Sequence, residues 1–326
     1  MARAAALVFT LFVLMGGEAQ ATAFRVVVVP EYELRGIVGA VGLLVPGAGP
    51  ETSEAIARAA LVRGEVRNSL RGGLPEGPPL IGIAERADRR PTIFVAVPSG
   101  GLQPNDRRYP ITVVGNGFRG LLTSESTRIP GLVSIADIAP TALGREDSLG
   151  WQASDDPAGE LAAIDRRIDE HNDARVPATL LVVGLVLALA FLRPRAALTG
   201  LLAALAANVA LGLAGTTSMW AVLLVLAGST AIGGLALAPL ARSHEALAFL
   251  CAGVLAAYLL VLALDGPAVA LSPFGPTQNA RFYGLSNLLE TMLLVPALAG
   301  AAAASLRFGP LGFAAVALLS LVAVAG

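Results

Sequence analysis

One short stretch in the apolar half of the chain collects side chains that could bind a ligand or catalyse a reaction. The candidates for ligand binding are Asn279, Arg281, Tyr283, Asn287 and Glu290. Helical spacing of three and four residues places Asn287, Glu290 and Thr291 on one face of a helix. A carboxylate surrounded by hydrocarbon is costly unless it is paired, which makes Glu290 a functional candidate with Arg281 as its expected partner.

The chemistry of this pair leaves several interpretations open. The Arg281 guanidinium could hold a phosphate or an anionic headgroup through paired hydrogen bonds. With Glu290 as a base, the same residues could serve a transferase that acts on a lipid-linked phosphate substrate. A structural interpretation competes with both, in which Phe282 and Tyr283 are an aromatic anchor at the interface and the ion pair stabilises a helix entry.

A second polar group is weaker evidence for a site. Hydroxyls beside a guanidinium could cradle an anion, and this group contains Ser124, Ser126, Thr127 and Arg128. The alternative is a turn held by hydrogen bonds between the hydroxyls and the backbone. The two histidines, His171 and His244, lack metal-ligand neighbours and are expected to be solvated. With Cys251 as the single cysteine, we predict no metal site, no cofactor and no disulfide framework.

Charged residues divide the chain in two. Only five of the 23 arginines and three of the 24 acidic residues lie beyond residue 175, in a region that is otherwise almost continuously apolar. A membrane span needs about 20 apolar residues. Six segments qualify: Pro177–Leu192, Ala196–Ala214, Met219–Leu240, Ala246–Leu264, Leu288–Ser305 and Pro310–Ala325. We therefore predict an all-α transmembrane bundle of about six helices over residues 176–326, and we expect further spans beyond Gly326.

The orientation follows from the N-terminus. Residues 1–23 combine Arg3, a short apolar run and small residues at a cleavage site, as in a signal peptide or an anchor helix. This predicts a multi-pass protein of the cell (plasma) membrane with residues 24–175 extracytoplasmic. Arg193, Arg242 and Arg307 fall in alternate, cytoplasmic loops, although Arg167 and others precede the first span on the opposite side. Interleaved acidic residues indicate that 151–175 is a solvated amphipathic stalk helix.

The remaining segment, 24–150, is expected to form an α/β domain. β-branched runs predict strands at Phe24–Pro30, Val41–Val45, Thr92–Val97 and Ile111–Val114. Between them, Thr52–Val66 has helical spacing. Strands that alternate with a helix favour an α/β fold with a mainly parallel sheet.

The segment 121–144 contains the most recognisable sequence motif in the chain. Its end, which reads Asp-Ile-Ala-Pro-Thr-Ala-Leu over Asp137–Leu143, resembles the D-[IL]-x-P-T-x-L element of the alkaline phosphatase superfamily. The resemblance implies a doubly wound α/β domain, with Asp137 in a structural element. Members of that superfamily hold two metal ions with Asp and His ligands, yet this chain has no histidine between Phe24 and Glu170. We expect a shortened, metal-free and catalytically degenerate relative, a pseudoenzyme without phosphatase or sulfatase activity.

A second resemblance concerns the residues from Arg281 to Asn287, which are similar to an R-F-Y-G-x-x-N pattern in uncharacterised polytopic envelope proteins. We therefore expect an envelope protein whose outer domain binds an anionic glycan, a lipid or a protein partner. A transporter or lipid translocase is one alternative, although the spans offer few polar residues, such as Asn208 and Thr230. An intramembrane transferase is another. The net charge of −1 gives no reason to expect nucleic acid as a partner.

Overall fold

The computed structural model describes residues 24–66, 78–87, 90–144, 148–275 and 285–325. Three of the candidate ligand-binding residues, Asn279, Arg281 and Tyr283, lie outside these ranges, as does the segment 1–23 predicted as a signal peptide or anchor. The described chain has an α/β region up to Gln152 and a helical region from Pro157 onward.

The α/β region is built on a mixed sheet. Its strands are β1 (Arg25–Val28), β2 (Ala40–Val45), β4 (Thr92–Val95), β6 (Tyr109–Val114), β7 (Gly120–Ser124), β8 (Leu132–Ser134) and β9 (Leu149–Gln152). Two short strands, β3 (Glu51–Thr52) and β5 (Gln103–Pro104), pair with each other. Two α-helices accompany them, α1 (Glu54–Arg63) and α2 (Ile138–Leu143), the latter entered from a 3-10 turn at Ile135–Asp137.

The prediction of a mainly parallel sheet is wrong. The strand order is β1-β4-β6-β2-β7-β9, with β8 also paired to β2. Three strand pairs are parallel (β1 with β4, β2 with β7 and β8), but β6 runs antiparallel to both of its neighbours and β9 runs antiparallel to β7. The connection 96–108 between β4 and β6 contains no helix. A parallel pair needs a long crossover connection, whereas an antiparallel pair accepts a short one.

Apolar alternation and helix caps explain why these elements form. Ile93, Val95 and Ile111 of the central strands are fully buried, and Leu61 of α1 packs into the same core. Helix α1 begins after Ser53, whose side chain accepts a hydrogen bond from the amide of Ile56 at 3.2 Å.

The helical region consists of long apolar helices. They are α3 (Pro157–Leu192), α4 (Pro194–Leu213), α5 (Met219–Gly228), α6 (Gly234–Leu237), α7 (His244–Leu264), α8 (Gly266–Ala270) and α9 (Asn287–Ala325). A π-helical segment, Ser229–Gly233, joins α5 to α6. In the described ranges, five helices are long and apolar enough to cross a membrane, which is the composition of a multi-pass membrane protein.

The last of these five helices contains both of the final two predicted spans. Helix α9 is interrupted at Gly309, whose φ of 67° and ψ of −156° favour glycine strongly. Beyond it the chain turns back on itself. Gly312 lies so close to Ala304 that an added Cβ would be 2.5 Å from the Ala304 carbonyl oxygen, and Gly300 lies against Val316. The two segments therefore run antiparallel, as a helical hairpin.

Helix α3 connects the two regions without a break. Its 36 residues extend about 54 Å, well beyond the roughly 30 Å of a bilayer's hydrocarbon core. The polar half, residues 157–175, contacts the α/β region, and the apolar half begins at Pro177. We refer to residues 157–175 as the stalk.

Candidate functional site

The structure places two of the sequence-predicted site residues in the first turn of α9. Asn287 is exposed and Glu290 is half-buried. The turn is capped by Ser286, whose hydroxyl accepts a hydrogen bond from the amide of Leu289 at 3.0 Å and donates one to the carbonyl of Phe274. Thr291 donates its hydroxyl proton to the carbonyl of Asn287 at 2.7 Å. The helix start is therefore fixed, and a carboxylate there interacts favourably with the helix dipole.

Glu290 lies at one end of an apolar groove of about 390 Å³. Leu255 of α7 forms one wall, Leu293 and Ala297 of α9 form the floor, and Phe313 closes the far side from the returning segment of the hairpin. Within the described ranges, no side chain forms an ion pair or hydrogen bond with the Glu290 carboxylate. The expected partner, Arg281, lies outside those ranges.

The second predicted group does come together, but around a carboxylate. Ser124 donates its hydroxyl proton to Asp137, and Ser126 donates to the same carboxylate through its hydroxyl (2.5 Å) and its amide (3.1 Å). Thr127 donates instead to the carbonyl of Leu132 at 2.6 Å, and Arg128 has a left-handed φ of 54°. Both serine hydroxyls are thus used within the fold, and a negative charge stands where an external anion would otherwise lie.

This arrangement anchors the element Asp137–Leu143. Asp137 is buried, and its backbone carbonyl accepts a hydrogen bond from the Thr141 hydroxyl at 2.8 Å. Thr141 in turn accepts one from the amide of Leu149 at 3.1 Å, which connects α2 to β9. In the part of the chain that is described, no group of three His, Cys, Asp or Glu residues is arranged to hold a metal ion.

Sequence reasoning missed a third polar group, at the junction of the two regions. Along one face of the stalk, Arg167, His171 and Arg175 follow one another at intervals of four residues. The expectation that His171 is solvated is wrong, because only 3% of its surface is exposed. Its Nε2–H donates to the carbonyl of Thr216 at 2.6 Å, whereas its Nδ1 is buried without a hydrogen-bond partner.

The two arginines also bind backbone carbonyls. Arg167 donates to Gly212 at 2.5 Å and to Leu271 at 3.0 Å, and Arg175 donates to Gly275. Gly212 and Leu271 lie at the C-terminal ends of α4 and α8, where the helix dipole is negative and carbonyls lack partners within the helix. Arg167 is therefore explained by its binding to two helix ends, and Arg175 holds the turn at Gly275 beyond α8.

The α/β region is fastened to the stalk next to these contacts. The guanidinium of Arg108, with 1% of its side chain exposed, forms ion pairs with Asp165 and Asp169 of the stalk. An apolar cluster lies alongside, in which Ile129 and Leu132 of the α/β region pack with the buried residues Val45, Ile168, Ala270 and Leu271. Charge pairing and apolar burial together hold the sheet, the stalk and α8 in one arrangement.

A buried amide fixes the segment between α8 and α9. Asn208 of α4 donates to the hydroxyls of Ser272 (3.0 Å) and Tyr258 (3.2 Å), and its side-chain oxygen accepts from the amide of Phe274 at 3.0 Å. The hydroxyl of Tyr258 donates a hydrogen bond to the carbonyl of Leu205 at 3.0 Å. Asn208 thereby uses both of its donors and its acceptor inside the protein.

The fold and these sites define a multi-pass membrane protein that carries a mixed α/β region at one end of a helical bundle. Comparison of the chain with family models, with curated proteins and with solved structures found no match. The resemblances seen in the sequence therefore enter the functional argument as proposals.

Proposed function

We propose that this chain is a multi-pass protein of the cell membrane whose extracytoplasmic α/β domain is a catalytically degenerate relative of the alkaline phosphatase superfamily. In this proposal the domain and the adjoining end of the bundle bind an anionic envelope glycan, lipid or protein partner. The observation that carries the proposal is the junction, in which Arg108, Arg167 and Arg175 join the sheet and the stalk to the bundle.

The junction supports the proposal because a short series of contacts leads from the α/β region to the first turn of α9, which carries Asn287 and Glu290. Leu271 packs against the α/β region. Three residues later, the carbonyl of Phe274 accepts a hydrogen bond from the hydroxyl of Ser286, which caps α9. Asn287 and Glu290 follow that cap directly. A ligand held by these residues would therefore lie within reach of the α/β domain.

Binding is preferred to phosphatase chemistry on the basis of two features. The first strand is followed by Pro30 and Glu31, where the superfamily supplies a metal-binding Asp. The hydroxyls of Ser124 and Ser126 donate to Asp137 and so are not aimed at a substrate cleft.

A transferase or translocase that handles a lipid-linked substrate remains a second candidate, because Glu290 lies at the end of an apolar groove rather than on a solvated surface. Envelope polymer synthesis in cells that carry Glu290→Gln separates the two. Loss of synthesis while the protein remains folded would favour the transferase, and unchanged synthesis favours the binding protein.

Orientation can be tested with single cysteines and a membrane-impermeant maleimide. Leu102 is 64% exposed in the α/β region and Arg242 is exposed at the opposite end of the bundle, while the native Cys251 is fully buried. We expect Leu102→Cys to react in intact cells and Arg242→Cys to react only after permeabilisation. The reverse pattern would place the α/β region in the cytoplasm and overturn the proposal.

Anion binding is tested separately with the full chain in phosphatidylcholine nanodiscs that contain a minor fraction of phosphatidylglycerol. We expect enrichment of phosphatidylglycerol around the protein and a loss of about fivefold in Arg281→Gln, the value of one well-placed ion pair of roughly 1 kcal/mol. Arg307→Gln is the matched control, since Arg307 pairs with Glu245 elsewhere. Equal enrichment in both variants would contradict the assignment of Arg281.

A further inference from the structure

The groove beside Glu290 has the length of one membrane leaflet. Its floor runs along α9 from Glu290 to Ala301, a separation of eleven positions or about 16 Å of helix. Half of the hydrocarbon core of a bilayer is about 15 Å. Its volume of about 390 Å³ lies within the range of small-molecule sites. A single hydrocarbon chain from the leaflet on the side of the α/β region would fill it from end to end.

The polar end of the groove contains one acidic side chain, that of Glu290. Glu290 points into the space at the level of the first turn of α9, and none of the described residues neutralises it. The other polar group in the lining, the Ser320 hydroxyl, donates to the carbonyl of Val316 at 2.8 Å and lies further along the groove. An apolar chain with a positively charged hydrogen-bond donor at its head would therefore complement both the apolar lining and Glu290.

We propose that the groove binds a phospholipid whose headgroup ends in a primary ammonium, with one acyl chain between α7 and the α9 hairpin and the ammonium hydrogen-bonded to Glu290. This site goes beyond the anionic ligand of the proposed function, and it does not depend on that ligand's binding. The lining favours a lipid over a polypeptide partner, because the described lining is apolar apart from Glu290 and Ser320 and offers few partners to the polar groups of a peptide backbone.

The test uses the full chain in nanodiscs of phosphatidylethanolamine, phosphatidylcholine and phosphatidylglycerol in equal amounts, followed by gentle delipidation and mass spectrometry of the retained lipid. We expect retained phosphatidylethanolamine to exceed phosphatidylcholine, which has the same charge but no N–H donor. Glu290→Gln should lower this preference by about fivefold while the protein still retains lipid chains.

A second variant separates the chain from the headgroup. Ala297→Trp fills the groove and should abolish retention of the lipid, whereas Leu311→Trp, at an 83% exposed position outside the groove, should retain it. The Glu290→Gln result holds independently if Ala297→Trp does not fold. Three results would overturn the proposal: equal retention of phosphatidylethanolamine and phosphatidylcholine, preference for phosphatidylglycerol at this groove, or a second copy of the chain cross-linked to Ala297.

Discussion

At the scale of single residues, two adjacent arginines of the α/β region meet opposite environments. Arg107 keeps 61% of its side chain exposed and pairs with Glu31 at the surface, whereas Arg108 is almost completely buried between two aspartates of the stalk. Surface pairs contribute little because water and salt screen them. A buried guanidinium, in contrast, depends on its partners, since it has lost its hydration.

Replacing Arg108 should therefore weaken the attachment of the α/β region. We expect Arg108→Met, which keeps most of the apolar volume, to cost about 2 kcal/mol. This is less than the roughly 3–5 kcal/mol for breaking a fully buried pair, because Asp165 and Asp169 stay partly in water. Amide hydrogen exchange in the stalk and thermal unfolding in detergent would measure the effect. Arg107→Met is the control, with an expected change below about 0.5 kcal/mol. Equal effects of the two substitutions would show that burial of Arg108 contributes nothing.

The sequence predicted site residues where the chemistry was visible locally. Glu290 stood out because an acidic residue among apolar ones is unusual wherever the chain folds. Arg108 and His171 gave no such signal. The partners of Arg108 are Asp165 and Asp169, 57 and 61 residues away, and the partner of His171 is the Thr216 carbonyl, 45 residues away. Side-chain contacts between distant elements cannot be read from local spacing.

At the scale of elements, glycines decide where helices pack closely. An added Cβ on Gly200 of α4 would lie 2.8 Å from the carbonyl oxygen of Thr230, in the π-helical segment. Gly184 of α3, in contrast, has no heavy atom within 4 Å of such a position. Small residues at contact points let membrane helices approach one another.

The two glycines should respond in opposite directions to the same substitution. We expect Gly200→Ala to destabilise the bundle by about 1–3 kcal/mol, because either α4 or the π-helical segment must shift. Gly184→Ala should stabilise it by about 0.5–1 kcal/mol through helix propensity alone. Thermal unfolding in matched detergent micelles measures both. Stabilisation by Gly200→Ala would mean that the close contact with Thr230 can relax without cost.

The sequence predicted the positions of individual strands and helices better than it predicted how they pair with one another. The Thr92–Val97 run contains β4 and the Thr52–Val66 pattern contains α1, because β-branched runs and apolar periodicity act locally. The antiparallel placement of β6 was missed, since strand composition does not specify which neighbour a strand pairs with. The turn at Gly309 was predicted as a gap between two spans, and the structure makes it the tip of a hairpin.

At the scale of the whole molecule, the junction between the two regions contains a titratable side chain, that of His171. His171 lies in the stalk between Arg167 and Arg175, and Asp265 is the acidic residue that interacts with Arg167. Burial, reinforced by the two guanidinium groups, lowers the pKa of His171 below its ordinary value of 6.5. The neutral ring donates to Thr216, and its Nδ1 is buried without a hydrogen bond. The carbonyls of Thr216 and Leu271 favour the protonated ring and oppose this fall in pKa only in part.

Acid should therefore loosen the junction. When the junction opens, the His171 ring reaches water and regains a pKa near 6.5, so the open state binds a proton that the closed state does not. The stabilising contribution of neutral His171 is present above about pH 6.5 and is lost as the pH falls below it. We expect hydrogen exchange of the 265–275 segment to accelerate between pH 7.5 and pH 5.5, after correction for the intrinsic pH dependence of exchange.

The matched variant is His171→Gln, whose amide can donate to the Thr216 carbonyl but does not titrate. It should show a corrected exchange rate that no longer depends on pH in this range, while Arg108→Met, which acts on the other side of the stalk, should keep the wild-type pH dependence. If His171→Gln loosens with acid as much as the wild type does, then another group, such as Asp265 or the aspartates that bind Arg108, controls the junction. Because α9 is tied through Ser286 to the same segment, the exchange of its first turn should follow that of 265–275 in the wild type.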